Sequence, residues 1–270
     1  MSTLTVSAPS PTATRPGGLF RDTGIVMMRE LRPVLRDPFS LIFGMVQPLV
    51  FLALFGPLVG SVGGQAGAPD GGVWQWFVPN ILVMTALFGT SITGANLLSE
   101  FQTGAHERML VTPLSRPSLL IGRSLKEIVL LAGQAVIIVA VMIPFGFRLY
   151  PVGVLAGLVM LAMLGVGLGL LSYALAIAVR KQEGMFGAVQ QTLIFPLMVL
   201  SGMLLPLETG PTWMQVVARF NPLTYVVDAE RALFAGQLAS PTVAWGWVAA
   251  LLTAAVGLAV GIRVMVRSAG

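Results

Sequence analysis

The chain has 270 residues, of which 56% are hydrophobic and only 10% are charged, and its mean hydropathy is +0.86. Soluble domains carry about 25% charged residues, so a single globular core is excluded and the composition indicates an integral membrane protein. Cysteine is absent and His106 is the one histidine, which excludes disulfides, thiolate chemistry and a multi-histidine metal site. The net charge of +5 does not indicate nucleic-acid binding, because the cations are spread over several segments.

Taken in chain order, residues 1–18 are rich in Ser, Thr, Pro and Ala and lack the apolar core of a signal peptide. They predict a disordered cytoplasmic tail, and residues 19–270 predict one transmembrane domain. Residues 19–37 predict a basic amphipathic helix in the membrane interface, which Pro33 is expected to bend or interrupt. Its apolar residues are Phe20, Met27, Met28, Leu31 and Leu35, opposite Arg21, Arg29, Arg32 and Arg36.

Six charge-free windows follow along the chain. They cover residues 38–69, 71–99, 128–147, 149–179, 184–207 and 232–262. A span needs ~20 apolar residues, and a charge at its centre costs roughly 2.5–3.5 kcal/mol of insertion. Trimmed at Gly and Pro, the windows predict an all-α fold with six spans near 40–60, 77–98, 125–146, 152–178, 187–205 and 243–264.

The lysines and arginines predict the orientation of these spans. With the first residue inside, thirteen of the sixteen Lys and Arg residues lie inside, and only Arg148, Arg219 and Arg231 lie outside. This asymmetry is a strong positive-inside signal. Both termini are therefore expected in the cytoplasm.

The spans carry no energy-coupling chemistry of their own. The sequence contains no G-x-x-x-x-G-K-[ST] motif, so ATP is not expected to bind this chain through a P-loop. No predicted span has an ionisable residue in its middle, which disfavours a proton- or sodium-coupled carrier. The glycine pairs Gly153/Gly157, Gly165/Gly169 and Gly257/Gly261 predict close helix packing.

Two segments between spans have unusual compositions. The connection over residues 100–126 is longer than the two to eight residues that join helices, and it combines both charge signs with an apolar strip, as a docking surface requires. Residues 201–236 are too apolar for a free loop and too rich in proline for a span. Such backbone must be buried in protein or line a cavity, so we expect a re-entrant extracellular hairpin. Within it, Asp228 forms an ion pair with Arg219 or Arg231, or belongs to a wet interfacial charge cluster.

These segments resemble the permease subunits of ABC-2-type ATP-binding-cassette exporters, most closely the daunorubicin/doxorubicin-resistance branch. The family pattern Glu-x-x-x-Gly-x-x-Glu followed by Leu-x-x-Thr-Pro-Leu-Ser-Arg is met in the connection. Phe101-Gln102 and Ala105 depart from it. In the outer segment the matching residues are Trp213, Arg219, Asn221, Pro222, Tyr225, Asp228 and Arg231. A weaker match begins at Arg36-Asp37-Pro38.

The resemblance implies a permease of the bacterial plasma membrane that works as a homodimer or similar heterodimer within membrane lipid. Two copies of a separate ATPase would bind ATP and Mg, so this chain is expected to be no enzyme and to hold no cofactor. The implied coupling residues are Glu100, Gly104, Glu107, Arg108, Leu110, Thr112, Pro113 and Arg116. The implied substrate is a hydrophobic or amphipathic drug, antibiotic or lipid-linked envelope component.

The resemblance also places the second and fifth spans around the substrate. On these spans Met84, Phe88 and Ser91 share one helix face, and Gln191, Phe195 and Met198 share another. The alternative is that both faces pack against other spans. A different function, a membrane scaffold or regulatory subunit that docks a partner without transport, also fits, and an adjacent reading frame with a P-loop would favour export over it.

Overall fold

The computed structural model describes residues 18–36, 38–63, 72–103, 116–180, 182–204, 207 and 210–268, and every regular element in these ranges is helical. The predicted all-α class is therefore confirmed. The helices, in chain order, are α1 (Gly18–Arg36), α2 (Pro38–Gly63), α3 (Val73–Gln102), α4 (Arg116–Met142), α5 (Pro151–Ala178), α6 (Glu183–Val199), α7 (Thr212–Ala218), α8 (Pro222–Phe234) and α9 (Pro241–Ser268). A 3₁₀ turn (Ile143–Phe145) follows α4. The tail predicted to be disordered falls almost wholly on residues 1–17, outside the described ranges.

Four of the described helices are long and apolar enough to cross a membrane. They supply the stretches Val73–Gln102, Gly122–Phe145, Pro151–Ala178 and Pro241–Val264. The described side chains of α2 and α6 form shorter apolar stretches, Met45–Pro57 and Gly184–Val199. The chain is thus a helical membrane protein with four candidate spans among the described residues, and α6 ends at Val199 where the sequence predicts a span to residue 205.

Helix α3 lies at the centre of the bundle. Every residue from Phe77 to Leu87 is buried, and α3 contacts α2, α4, α5, α6 and α8. This central helix therefore positions polar side chains at both ends of the bundle.

Glycines allow the backbone of α5 to come into contact with α8 and α9. A Cβ atom on Gly257 of α9 would overlap the Gly167 carbonyl of α5. A Cβ on Gly153 would overlap the Leu233 carbonyl, and one on Gly157 would overlap Glu230 and Phe234. The predicted packing role of Gly153, Gly157 and Gly257 is confirmed, and the partner of the first two is the short helix α8 rather than another long helix.

Helix α1 packs along α4, where Val26 lies over Gly122. Of the two predicted effects of Pro33, a bend or an interruption, the interruption is wrong, because the helix runs through Pro33 to Arg36. Leu31 is buried, as is Val26, whereas Met28 and Leu35 are 54% and 58% exposed. Part of the apolar surface of α1 thus packs inside the bundle, and part lies on its outside.

The bundle has two distinct ends. At the connection end, the last turn of α3 meets α1, the first turns of α4 and the last turns of α5. At the opposite end, called the hairpin end after the hairpin predicted over residues 201–236, the start of α3 meets the α4–α5 connection, the turn after α6, and α8. Each end contains a network of polar side chains.

Candidate functional site

Arg123 joins four helices at the connection end. Its Nη2 donates a hydrogen bond to Oε2 of Glu100 at the end of α3 and lies 3.8 Å from Oε1 of Glu30 on α1. The guanidinium carbon lies 5.8 Å from the centre of the Tyr173 ring on α5. Arg123 is buried, and a buried charge is costly unless it is paired and hydrogen-bonded. These contacts therefore tie α1 and the end of α3 to α4 and α5.

Of the predicted coupling residues, the structure describes Glu100 and the backbone of Arg116. Arg116 begins α4, which places Pro117 in the first helical turn, where proline is tolerated. The positions Gly104, Glu107, Arg108, Leu110, Thr112 and Pro113 lie outside the described residues. The sequence did not reveal that Glu100 contacts Arg123, because twenty-three residues separate them.

One turn further along α4, Lys126 and Glu127 form a second buried ion pair. The Nζ atom of Lys126 lies 3.0 Å from Oε1 of Glu127, and both side chains are buried. From the sequence, Lys126 was counted only as an inside cation, and Glu127 was given no role. Their burial next to Arg123 shows that α4 brings charge into the first part of its apolar stretch.

Arg231 on α8 is the centre of the network at the hairpin end. Its Nε donates to Oδ1 of Asn80 (2.9 Å), its Nη1 to Oδ1 of Asp228 (3.0 Å), and its Nη2 to the Gly202 carbonyl (2.6 Å). The guanidinium carbon lies 4.2 Å from the centre of the Trp76 ring, in a cation–π contact. The predicted ion pair of Asp228 is therefore formed with Arg231.

The same network fixes the turn that follows α6. Gly202 has φ +73°, a conformation that favours glycine, and the carbonyl of this residue accepts from Arg231. Asn80 donates through Nδ2 to the Met203 carbonyl at 2.9 Å. Asn80 thus accepts from α8 and donates to the turn, so α3 holds both.

Helix α8 begins with a cap that also closes α6. Asn221 accepts from the Leu223 N–H at 3.0 Å and donates to the Leu197 carbonyl at 2.8 Å. Pro222 occupies the first helical position, where its missing N–H costs nothing. Thr224 donates to the Leu200 carbonyl at 3.1 Å. The matching residues Asn221, Pro222 and Arg231 thus explain why α6 and α8 meet.

The remaining matching residues lie toward the surface of the chain. The Tyr225 hydroxyl donates to the Arg219 carbonyl at 2.9 Å. Trp213 on α7 is 65% exposed, and Phe220, next to Arg219, is 85% exposed. Exposed aromatic residues beside a buried polar network are typical of surfaces that meet lipid or another protein chain.

Gln75 is a network residue that sequence reasoning missed. Its Nε2 donates to the carbonyls of Arg148 (2.9 Å) and Phe234, and its Oε1 accepts from the Arg148 N–H at 3.1 Å. The first turn of α3 is thereby joined to the α4–α5 connection and to the end of α8. The sequence feature that could have indicated Gln75 is its polar amide side chain, which lies between Trp74 and Trp76 in a charge-free window.

Glu230 is fully buried beside Gly157 and Phe234, and neither of its carboxylate oxygens has a hydrogen-bond partner. Complete burial raises the pKa of this carboxyl to about 8. Sequence reasoning missed Glu230 as well. The signal was helical spacing, because Leu223, Val226, Val227 and Leu233 place position 230 on the buried face of α8.

The predicted pathway residues divide into buried and accessible ones. Met84 and Met198 lie within the hydrophobic core of the chain. Phe88 and Ser91 are half-buried, whereas Gln191 and Phe195 are exposed. The Ser91 hydroxyl donates to the Leu87 carbonyl of its own helix. Among the described residues, no three His, Asp or Glu side chains are grouped as metal ligands would be.

We expect Glu230 to make the stability of the protein depend on pH. Because its pKa in the folded chain is about 8 and its ordinary value is 4.5, the folded state binds more protons between these values, and stability falls as pH rises through that range. The thermal midpoint of detergent-purified protein should drop on the order of 5 °C between pH 5 and pH 8. Glu230→Gln should remove most of this drop, whereas Asp22→Asn should retain it. Identical pH profiles for the wild type and Glu230→Gln would contradict the assignment.

Comparisons with known proteins identify the family. Residues 21–235 match the sequence model of the family described as "ABC-2 type transporter". The chain is 31% identical over 212 residues to ycf38 of Cyanophora paradoxa, whose name describes a transport permease, covering 78% of this chain and 73% of the relative.

Two further relatives carry drug-resistance names. The daunorubicin resistance ABC transporter permease protein DrrB1 of Streptomyces coeruleorubidus is 26% identical, with 74% of this chain and 70% of the relative covered. DrrC of Mycobacterium tuberculosis, named for a doxorubicin resistance ABC transporter permease, is 26% identical, with coverages of 84% and 83%. The family match spans most of the described helices, including both polar networks. The chain therefore belongs to the ABC-2 type transporter family and is a transmembrane permease of an ABC transporter.

Proposed function

We propose that the chain is the permease subunit of an ATP-driven exporter for a hydrophobic or amphipathic substrate. The observation that carries the proposal is that α3 is anchored by polar side chains at both ends. Glu100 bonds to Arg123 at the connection end, and Asn80 bonds to Arg231 at the hairpin end. One continuous helix of 30 residues, about 45 Å long, thus joins the two ends.

The energy for transport comes from a separate subunit in this proposal. The chain contains no P-loop, so two copies of a partner ATPase bind ATP and Mg and dock on the connection between α3 and α4. The coupling residues are those named from the sequence, from Glu100 through Glu107 and Leu110 to Arg116. Closure of the ATPases displaces this connection, and Arg123 carries the displacement to α1 and α5.

The proposed topology has six spans, with α2 and α6 crossing the membrane beside the four long helices. Both termini and the connection end face the cytoplasm, in agreement with the lysine and arginine asymmetry. Helices α7 and α8 then form the re-entrant hairpin at the outer end. Two permease chains, identical or similar, complete the transporter in the bacterial plasma membrane.

The substrate pathway of the proposal runs along α3 and α6. Phe88, Ser91, Gln191 and Phe195 have surface that a second chain or a substrate can meet, whereas Met84 and Met198 support them from the core. Flat aromatic rings with few polar groups suit variable apolar solutes. The drug-resistance names of DrrB1 and DrrC support a drug or antibiotic as substrate, with a lipid-linked envelope component as the second candidate.

Two substitutions in the connection test whether it couples the ATPase to transport. Glu107→Arg and Leu110→Asp should abolish export and weaken co-purification of the partner ATPase, because each removes a proposed docking contact. Glu183→Arg, at the start of α6, is the matched control and should retain both. Normal export and normal association in the two connection variants would overturn the coupling site. An intact complex that moves no compound would favour the scaffold function.

Single cysteines test the topology, because the chain has none of its own. Cysteines at Ala68 and Gly210 should react with an impermeant thiol reagent in intact cells. Cysteines at Thr103 and Gln182, which are exposed at the connection end, should react only after permeabilisation. The opposite labelling pattern would invert the proposed orientation.

Shortening the two aromatic side chains tests the pathway. Phe88→Ala and Phe195→Ala should each change the ranking of exported compounds by roughly tenfold for the most affected one, since a large apolar contact of this kind is worth ~1–3 kcal/mol. Complex assembly and ATP hydrolysis should persist. The control is Phe220→Ala, which removes an exposed ring at the hairpin end. Loss of expression with an unchanged compound profile would show that Phe88 and Phe195 only pack.

A further inference from the structure

A small cavity lies between α1, α3 and α4 at the connection end, next to the Arg123 network. Its volume is about 130 Å³. Its polar lining consists of Lys126, Glu127, Thr93, Asn96 and Gln134, and Ile92 and Leu130 contribute apolar surface. The cavity is therefore neutral overall and carries one positive and one negative group side by side.

The ion pair in its wall has hydrogen-bonding capacity left over. Nζ of Lys126 carries three N–H donors. It lies 3.0 Å from Oε1 of Glu127, and this contact occupies only one of the three. Within the described part of the chain, no further hydrogen bond is formed by either side chain, although both are buried. Burying two charges costs more than their mutual attraction returns unless other groups satisfy them. A ligand with complementary charges would supply those groups.

The size and position of the cavity restrict that ligand. Pockets that hold drug-sized molecules measure ~300–1,000 Å³, so this cavity admits only a small head group. Lys126 lies near the start of the apolar stretch Gly122–Phe145, and Gln134 lies about 12 Å further along the helix axis. Ile92 is exposed at the cavity wall. A molecule with its head in the cavity can therefore keep its acyl chains in the bilayer.

We propose that this cavity binds the head group of a bilayer phospholipid that carries a primary amine, with the phosphate at Lys126 and the ammonium group at Glu127. A primary ammonium group donates hydrogen bonds to a carboxylate and to amide oxygens. A trimethylated head has no such donors, and the described lining contains none of the aromatic rings that bind quaternary ammonium ions. An anionic head without an amine leaves Glu127 uncompensated. The bound lipid joins α1 to α3 and α4 and requires no transport activity.

Native mass spectrometry of the detergent-purified chain with equal amounts of dioleoyl phosphatidylethanolamine, phosphatidylcholine and phosphatidylglycerol tests the proposal. The wild type should retain phosphatidylethanolamine at least about fivefold over the other two. Glu127→Gln should bring this preference close to one, and Lys126→Met should weaken retention of all three phospholipids. Soluble phosphoethanolamine in millimolar excess should reduce lipid retention only slightly, because it lacks the acyl chains; full displacement by it would assign the cavity to a free metabolite and overturn the lipid proposal.

The double variant Lys126→Met/Glu127→Gln is the control for misfolding, because it removes both charges and keeps the side-chain sizes. It should unfold at a temperature close to that of the wild type in detergent while losing the ethanolamine preference. Arg180→Gln removes an exposed cation outside the cavity and should keep the preference. A wild type that retains the three lipids equally, or a double variant that keeps the preference, would overturn the proposal.

Discussion

Two arginine side chains, one near each end of α3, are bonded to oxygen atoms of neighbouring helices and turns. The cost of leaving either charge unpaired constrains the rest of the bundle. Arg123 pairs with both Glu100 and Glu30, so displacing α1 from α4 would remove one of the two carboxylates that compensate this buried charge. Arg231 requires Asn80, Asp228 and the Gly202 carbonyl. One apolar contact between helices can be replaced by another of similar size. These polar contacts, in contrast, determine which helices are neighbours and in which register they pack.

The two networks differ in what they leave exposed. At the hairpin end, Asn221 and Thr224 satisfy the carbonyls of Leu197 and Leu200 where α6 ends. At the connection end, charge is concentrated over two turns of α4, first at Arg123 and then at Lys126 and Glu127. This end can therefore exchange contacts with charged partners, and the other end is closed by its own hydrogen bonds.

Sequence patterns predicted the helical class because uninterrupted apolar windows leave no other way to satisfy the backbone in a membrane. They indicated an ion pair of Asp228 but left its partner open between Arg219 and Arg231, and the structure selects Arg231, three residues away on the same helix face. They could not predict Asn80 against Arg231, which are 151 positions apart, or Glu100 against Arg123, because pairing across helices depends on the packing of the whole bundle. For the same reason the sequence could not show that Leu31 of α1 is buried and Met28 is exposed, because the position of α4 decides this. Glu230, by contrast, was predictable from the spacing of its neighbours on α8.

The backbone contact between Gly167 and Gly257 limits how the sequence can vary. Where two helices meet through side chains, a larger residue can be accommodated by a different rotamer or by a smaller residue opposite it. Here no side chain lies between the helices, so a methyl group at either position displaces α5 from α9 as a whole. The displacement would also reach α8, which contacts both helices. No single second substitution can compensate for such a displacement. The two glycines therefore cannot undergo the stepwise changes in residue size that reshape an ordinary helix interface.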